Sequence, residues 1–582
     1  YNYESPKETK APYEIDFYLA QAFFHNHKFV EADKLFHSFR AEIQPYADEE
    51  MLAEIDCFIN WNNNAARLVS SPIDVKMVHL PEGINTSDIE YAPVLSGDEQ
   101  TLIFTSSRAR NEAADNDASD DLFIAQKEGD SWTAPIRMSN AINTPGHEAS
   151  ASLSFDGFTL VVYVNDNGNG NLYQSQFDGE QWGMPELMGD LINSPSQETH
   201  GCFSPDNEEF YFTSDRPGGF GGLDIYVSRK LPSGQWGMPE NLGSNINSSF
   251  DEETPFMHPD NQRLFFSSRG HGSMGGHDIF VSRRSEQGEW NAPENVGYPI
   301  NSTADDVCFS VSADGKRGYY SSFNAQSYGE TDLFMIEMPG EDHTNLLVYV
   351  GFAKNELGEV LPNADISAFD ESSGDLFGVY TPNPRSGKFV LAAPAGTKIK
   401  LVIEADGYEP IEKQIEIGAN VSQNAPESRF TTPEIQLESL AMRPVETPKV
   451  LIDEQILMPY NSFETNLELC EPLKELLLTY PTGKVKLTGH TDSKGPEWYN
   501  NALSLKRARY VQRFLISNGV AKNRISIAGK GESEPVAKNV IHGADSPEGR
   551  AFNRRVTVEI SGVDTTLYVV KPLLIADSLR FR

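Results

Sequence analysis

The sequence predicts a multidomain chain in which an α-helical segment, a five-bladed β-propeller, a β-sandwich and an α/β domain follow one another. Three observations support this. Tryptophan recurs at positions 132, 182, 236 and 290, close to a constant spacing. Apolar and polar residues then alternate with a period of two, and near the C-terminus strand-like patterns alternate with helix-like ones. A chain of 582 residues has room for about four domains of roughly 150 residues.

The composition excludes several classes of function. The chain has 47 Lys and Arg against 85 Asp and Glu, a formal net charge of −38, and so acidic a surface repels phosphate. Nucleic acid is therefore not expected as a partner. Four cysteines without a Cys-x-x-Cys pair predict neither a disulfide framework nor a zinc site. Because no nucleophile elbow, His-Glu-x-x-His helix or phosphate loop occurs, we predict no enzyme, no catalytic residues and no cofactor.

The repeats predict a propeller over residues 71–340. Gln181-Trp-Gly-Met-Pro-Glu-Leu recurs from Gln235, and Ile-Asn-Ser/Thr recurs at 142, 192, 246 and 300. Each unit of roughly 50 residues carries four short strand patterns, which is typical of a propeller blade. The fifth unit lacks its last strand, and Met77-Val-His-Leu-Pro-Glu-Gly-Ile-Asn-Thr matches the missing piece. We therefore expect an N-terminal strand to close the ring. The motif resembles the TolB-type (WD-like) propeller repeat.

Two flanking segments carry weaker patterns. In residues 1–70 apolar residues recur at helical spacing, and the string from Leu19 to Phe36 resembles a tetratricopeptide repeat. Residues 343–440 have the alternation of a small β-sandwich and resemble the regulatory-like (transthyretin-like) domain of carboxypeptidase D, which implies no chemistry of its own. We expect the helical segment to pack on the propeller or on a partner.

Residues 449–562 alternate strand and helix patterns and carry specific motifs. Gly489-His-Thr-Asp-Ser-Lys-Gly is followed by Asn500-x-x-Leu-Ser-x-x-Arg-Ala and then by Glu548-Gly-Arg-Ala-Phe-Asn-Arg-Arg-Val. This string resembles the OmpA C-terminal, peptidoglycan-associated domain. One stretch departs from the family pattern: Ile456-Leu-Met-Pro-Tyr-Asn-Ser-Phe replaces a Phe-Asp-Phe-like strand, which we expect to affect the edge of the domain more than the pocket. Residues 563–582 form an extension that would add a strand or cover a partner.

The resemblance implies a peptidoglycan-binding site centred on Asp492 and Arg507. These two would hold the free amine and the free carboxylate of the diaminopimelate residue in the stem peptide. A carboxylate and a guanidinium at a fixed separation suit such a zwitterion. The residues expected to support them are Thr491, Asn500 and Leu503, with Arg555 completing the floor of the pocket. The alternative is that Asp492 caps a helix and that Arg507 is a solvated surface charge.

One further loop has some features of a calcium site. The side chains of Asp115, Asp117, Ser119 and Asp121 place oxygen atoms at alternate positions, as a calcium loop does, but the glycine at the sixth position and the glutamate at the twelfth are missing. An ordinary loop between strands is the favoured interpretation, so no metal site is predicted.

The order of the four modules resembles that of multidomain OmpA-family proteins of Bacteroidetes, a group that includes the PorE component of the type IX secretion system. The resemblance implies a non-catalytic periplasmic scaffold at the outer membrane, with a lipid anchor upstream of residue 1. Peptidoglycan would bind the C-terminal domain, and secretion-complex proteins would bind the propeller and the helical segment. The alternative is a periplasmic enzyme that processes glycans or peptides, or a ligand sensor, with its site in the propeller mouth.

Overall fold

The computed structural model of the chain describes most of its residues. The described ranges are 14–108, 120–129, 131–166, 168–285, 287–323, 326–338, 344–355, 358–361, 364–405, 408, 410–418, 450–541, 543–565, 567–576 and 578–581. The candidate calcium loop, apart from Asp121, lies outside them. Among the described helices, none combines the length and the apolar character that crossing a membrane requires.

Three helices precede the propeller: α1 (Glu14–His25), α2 (Phe29–Ile43) and α3 (Glu49–Val69). Asp48 caps α3, because its carboxylate accepts a hydrogen bond of 2.9 Å from the Met51 N–H. Phe24 and Phe36 lie in a common core that also contains Met274 of the propeller. The helices therefore share their core with a propeller loop.

In the described residues between 76 and 337 the strands form five antiparallel sheets. The innermost strand of each sheet contacts that of the next, and the last contacts the first, so the sheets form a closed ring. In chain order the strands are β1 (Lys76–His79), β2 (Glu90–Leu95), β3 (Thr101–Ser106), β4 (Asp121–Glu128), β5 (Ser131–Trp132), β6 (Ile136–Arg137), β7 (Glu148–Leu153), β8 (Thr159–Asp166), β9 (Asn169–Gln176), β10 (Glu186–Leu187), β11 (Glu198–Phe203), β12 (Glu209–Ser214), β13 (Asp224–Arg229), β14 (Glu240–Asn241), β15 (Glu252–Met257), β16 (Arg263–Ser268), β17 (Asp278–Arg283), β18 (Glu294–Asn295), β19 (Val307–Val311), β20 (Arg317–Ser322) and β21 (Asp332–Glu337).

The strand β1 joins the two ends of the ring. It pairs antiparallel with β21, and the register sets Lys76 opposite Glu337 and His79 opposite Phe334. The fifth sheet therefore has the order β1-β21-β20-β19, with its outer strand taken from the N-terminal side of the ring. This pairing satisfies the outer edge of β21 within the chain.

A buried asparagine in each repeat binds the backbone of a third strand. Asn247 accepts a hydrogen bond of 2.8 Å from the Ile225 N–H and donates one of 2.9 Å to the Ile225 carbonyl. Asn85 makes the same two hydrogen bonds with the N–H and carbonyl of Leu333, and so links the first part of the ring to the last. The asparagines that make this pair of bonds are Asn85, Asn143, Asn193, Asn247 and Asn301. The Ile-Asn motif is therefore the structural link between neighbouring segments of a blade.

We expect Asn247→Ala to destabilise the propeller by about 1–3 kcal/mol, because it leaves the buried Ile225 N–H without its acceptor and removes one of the two donors to the Ile225 carbonyl, which keeps the Leu242 N–H at 3.1 Å. Differential scanning calorimetry of the full chain measures this as a lower melting temperature. Asn140→Ala, at an exposed position of the same propeller, is the control. Equal melting temperatures for the two variants would contradict this role of Asn247.

Residues 346–416 form two packed sheets. The strands are β22 (Leu346–Phe352), β23 (Asp365–Asp370), β24 (Leu376–Tyr380), β25 (Lys388–Pro394), β26 (Lys398–Glu404) and β27 (Ile411–Glu416). β22 pairs with β25, and the other sheet has the order β24-β23-β26-β27, with Tyr349, Phe389 and Leu401 in the core between them. Lys388 contacts the propeller through an ion pair of 2.5 Å to Asp98.

The C-terminal domain is a mixed sheet covered by helices. Its central sheet has the order β29-β34-β30-β31, and Leu487 of the sheet packs against Val511 and Leu515 of the long helix. A tail strand, β35, pairs in parallel with β28. The elements are β28 (Val450–Asp453), β29 (Gln455–Leu457), α4 (Glu471–Thr479), β30 (Lys484–Gly489), α5 (Glu497–Ser517), β31 (Ile525–Gly529), β32 (Val540–Ile541), β33 (Ala544–Asp545), α6 (Pro547–Asn553), β34 (Arg555–Ser561) and β35 (Tyr568–Lys571).

Candidate functional site

The candidate site lies where β30 ends against α5. A Cβ atom on Gly489 would stand 1.9 Å from the Ser504 carbonyl oxygen, so only glycine allows the strand and the helix to approach this closely. The loop that follows carries Thr491 and Asp492 to the start of α5. The glycine of the motif is thus required by the contact between strand and helix, whether or not a ligand binds nearby.

Asp492 lies at the centre of a charged cluster. It is buried, and its Oδ2 accepts a hydrogen bond of 2.9 Å from Arg554 Nη1. Its Oδ1 accepts from the Lys494 N–H at 3.0 Å, and Arg550 Nε stands 4.0 Å from Oδ2. No side chain caps α5, which begins after Pro496. The alternative that Asp492 caps this helix is therefore wrong.

Two arginines that the sequence analysis did not single out complete this cluster. Arg550 and Arg554 lie four residues apart on and just after α6, so both reach Asp492 from the same side. Arg550 also pairs with Asp545. The Nε atoms of both arginines are buried without a hydrogen-bond partner among the described residues. The sequence did carry a sign of this cluster. In the Gly-Arg-Ala-Phe-Asn-Arg-Arg string, Arg550 and Arg554 stand four residues apart, so they lie on one side of a helix.

Arg507 is fully buried behind the loop. Its Nε donates to the Ser462 carbonyl at 2.8 Å, Nη1 to the His490 carbonyl at 2.8 Å and Nη2 to the Pro459 carbonyl at 3.1 Å. Burial, with the nearby Arg554 charge, lowers the pKa of Arg507 to about 10. The alternative of a solvated surface charge is wrong, and in this structure the guanidinium binds backbone rather than facing the cluster.

The segment that departs from the family pattern takes part in this arrangement. Pro459 and Ser462 supply two of the three carbonyls that accept from Arg507, and the guanidinium of Arg554 lies 5.8 Å from the centre of the Tyr460 ring. The stretch was expected to affect the edge of the domain more than the pocket, and the structure shows that it also contacts Arg507 and Arg554. Its effect reaches the site because the chain folds back over α5.

The predicted supporting residues fall into two groups. Asn500 donates from Nδ2 to the Asp492 carbonyl at 3.3 Å and to Glu532 Oε2 at 2.5 Å, which fixes the loop on the helix. Thr491 Oγ1 is buried without a hydrogen-bond partner among the described residues, and Leu503 is buried one turn further along α5. The structure thus brings Thr491, Asp492 and Asn500 together at one end of α5.

Arg555 lies apart from this cluster. It donates to the Glu534 carbonyl at 2.9 Å and to the Asn553 carbonyl at 3.4 Å, and burial lowers its pKa to about 10. Burial, together with the positive charge of Arg555, lowers the pKa of His490 to about 4, so this histidine is neutral near pH 7. Arg555, which was expected to complete the floor of the pocket, makes no hydrogen bond to Asp492 in the described residues, and the neighbouring Arg554 donates to Asp492 instead.

The mouth of the propeller offers little for catalysis. A cavity of about 60 Å³ lies at the ring axis, lined by residues such as Leu153, Phe203 and Val311. Its one carboxylate, Glu99, accepts two hydrogen bonds from Arg317, of 2.8 and 2.9 Å. Within the described residues no group of three or more His, Cys, Asp or Glu side chains is arranged to hold a metal ion.

One part of the chain matches a known protein family. The model of the OmpA family matches residues 470–554. Outer membrane porin F of Pseudomonas fluorescens is 44% identical over 88 residues, 15% of this chain and 26% of the porin. Peptidoglycan-binding protein ArfA of Mycobacterium tuberculosis is 36% identical over 94 residues, 16% of this chain and 27% of that protein. The chain thus spans about a quarter of the length of these relatives.

A TolB structure is among the solved structures to which part of this chain is similar. TolB from Acinetobacter baumannii covers 44% of this chain and 55% of its own, with 17% identity and a TM-score of 0.29. The residues that match the OmpA family model, 470–554, include Asp492 and the two arginines. Residues 470–554 are therefore an OmpA-family domain set within a longer, multidomain chain.

Proposed function

We propose that the chain is a non-catalytic scaffold that binds peptidoglycan through its OmpA-family domain. The observation that supports this most is the buried Asp492 flanked by Arg550 and Arg554, whose Nε atoms have no hydrogen-bond partner among the described residues. Buried donors of this kind are costly unless something accepts from them. The name of ArfA describes a peptidoglycan-binding protein, and its similarity extends over 94 residues of this chain.

In this proposal the ligand is the diaminopimelate residue of the stem peptide. Its free ammonium group binds the Asp492 carboxylate, and its free carboxylate binds the guanidinium groups of Arg550 and Arg554 in bidentate fashion. The ligand carboxylate takes over part of the charge compensation that Asp492 supplies to Arg554. A ligand lacking either charged group would leave a buried charge uncompensated, which is the basis of selectivity.

The other predicted site residues act by holding this arrangement. Arg507 fixes the loop through three carbonyls, and Asn500 ties the loop to α5. Thr491 contributes its unpartnered hydroxyl to the ligand, and Leu503 supplies apolar contact beside it. Arg555 holds the segment around Glu534 in place.

We further propose a periplasmic location at the outer membrane, with the wall-binding domain tethering an envelope complex. The propeller and the helical segment offer large preformed surfaces for protein partners. The order of modules favours a secretion machine of the type IX class as that complex. This rests on the resemblance of the whole module order, and it is independent of the charges around Asp492.

Sedimentation of the full chain with purified sacculi tests the proposed ligand. We expect the chain to co-sediment with sacculi whose stem peptides contain diaminopimelate, and free diaminopimelate to compete. Sacculi with lysine at the same position are the control, because lysine lacks the second carboxylate. Equal retention on both walls would contradict recognition of diaminopimelate, and retention on neither would overturn wall binding.

A further inference from the structure

A cavity lies between the helical segment and the propeller, far from the wall-binding domain in sequence. Its volume is about 470 Å³, within the range of small-ligand sites. Phe24, Phe58 and Trp61 form its helical side, and Arg269, His277 and Asp305 are among the residues of its propeller side. Three aromatic rings thus face a group of charged side chains across one space.

The helical side is held firmly in place. Trp61 Nε1 donates to the Arg269 carbonyl at 3.4 Å, and Asn64 Nδ2 donates to the Ser273 carbonyl at 3.0 Å. Met274 of the same propeller loop is fully buried among the helices. The cavity is therefore a preformed feature of the interface and needs no closure to exist.

The propeller side carries two nitrogen-bearing side chains, Arg269 and His277. The guanidinium of Arg269 stands 5.4 Å from the centre of the Trp61 ring, and no ion pair to an acid is recorded for it in the described residues. His277 Nδ1 lies 3.0 Å from Asp305 Oδ1 in a hydrogen bond. Its Nε2 is buried without a hydrogen-bond partner among the described residues. Burial opposes protonation of His277, but the bond to Asp305 and the charge of Glu253 raise its pKa above the usual value.

The pair of Arg269 and His277 is specific to this sheet of the propeller. One repeat earlier, at the positions equivalent to Arg269 and His277, stand Asp215 and Leu223. The pair therefore occurs where the helices cover the propeller and is replaced on the neighbouring sheet. Arg269 and His277 share this lining with the Asp305 carboxylate.

We propose that this cavity binds a carboxylate carried next to an aromatic group, as at the C-terminus of a peptide that ends in an aromatic residue. The carboxylate accepts from His277 Nε2 and from the Arg269 guanidinium, and the aromatic ring packs against Phe24, Phe58 and Trp61. Asp305 lies in the same lining with its Oδ1 engaged by the backbone N–H and Nδ1 of His277, so a bound carboxylate must place its charge toward Arg269 and away from Asp305. The site uses none of the residues proposed to bind peptidoglycan.

Ligand-observed NMR with the full chain tests the site. The probes are N-acetyl-phenylalanine and its amide, and Gly-Gly-Gly-Phe with a free or an amidated C-terminus. We expect both free acids to bind and both amides to bind about tenfold more weakly, because each amide loses charge-assisted hydrogen bonds. A free tetrapeptide that binds at least as well as the single residue identifies a peptide terminus, and binding of the single residue alone identifies a small metabolite.

Variants locate the binding. We expect Arg269→Gln and His277→Gln each to weaken binding of the free acids about tenfold, with little effect on the amides. Lys316→Gln, on an exposed cation elsewhere in the propeller, is the matched control. Equal binding of acid and amide, or unchanged binding in both variants, would overturn the proposal. Retention on sacculi is unaffected by these variants, so the two sites are tested separately.

Discussion

Asp492→Asn is expected to abolish retention of the full chain on sacculi that contain diaminopimelate, with a loss of affinity of about 100-fold or more. The amide removes the negative charge that the ligand ammonium would meet and leaves the positive charge of Arg554 buried without its partner at 2.9 Å. Removing one member of a buried charge pair typically costs about 3–5 kcal/mol. Quantitative co-sedimentation over a range of sacculus concentrations measures the loss.

The matched control is Glu559→Gln, which removes one negative charge from an exposed pair in the same domain. We expect this variant to bind as the unmodified chain does. Circular dichroism of both variants checks that the domain remains folded. If Asp492→Asn binds normally while folded, the charged cluster is a structural feature and the wall-binding site lies elsewhere.

Arg507→Met is expected to destabilise the C-terminal domain by about 3–5 kcal/mol, because one buried and two partly buried carbonyls lose their donor at once. The carbonyls belong to Pro459, Ser462 and His490, so the loop carrying Asp492 loses its support from behind. Hydrogen exchange followed by mass spectrometry on the full chain measures this as faster exchange in the peptides spanning 457–463 and 484–491. Sacculus binding falls as a consequence of the lost order.

Arg509→Met provides the comparison, since this arginine is exposed on the same helix. We expect its exchange pattern to match that of the unmodified chain. The experiment also separates two roles for Arg507. Unchanged exchange combined with lost binding would show that Arg507 grips the ligand directly, as the family resemblance implies, rather than positioning the loop.

The modular order was readable from sequence because it depends on local periodicity. The strand pairing that joins the ring at β1 and β21 could be anticipated because the missing end of one repeat occurs at the start of the first. The purpose of the Ile-Asn motif could not, since Asn85 and Leu333 meet only when the ring closes, 248 residues apart in the chain. The docking of the helices on the loop at Met274 was hidden for the same reason.

The candidate site shows the same limit at finer scale. The motif directed attention to Asp492 and its loop, but it did not distinguish Arg554 from Arg555. Adjacent side chains diverge where α6 passes into β34, so only one of the two reaches Asp492. Arg507 is buried because the segment around Pro459 folds over it, and no pattern within α5 reports a contact made 48 residues away.

The closing strand pair has a mechanical consequence. The helical segment enters the ring just before Lys76, the later modules leave it just after Glu337, and these two residues stand opposite each other. Tension between the helices and the C-terminal modules is therefore applied at one end of the β1–β21 pair, and it loads the hydrogen bonds one after another instead of all together. The ring would yield first at its own closure, where the contacts of α3 with the propeller loop and the bond from Asn85 to Leu333 resist the peeling of β1.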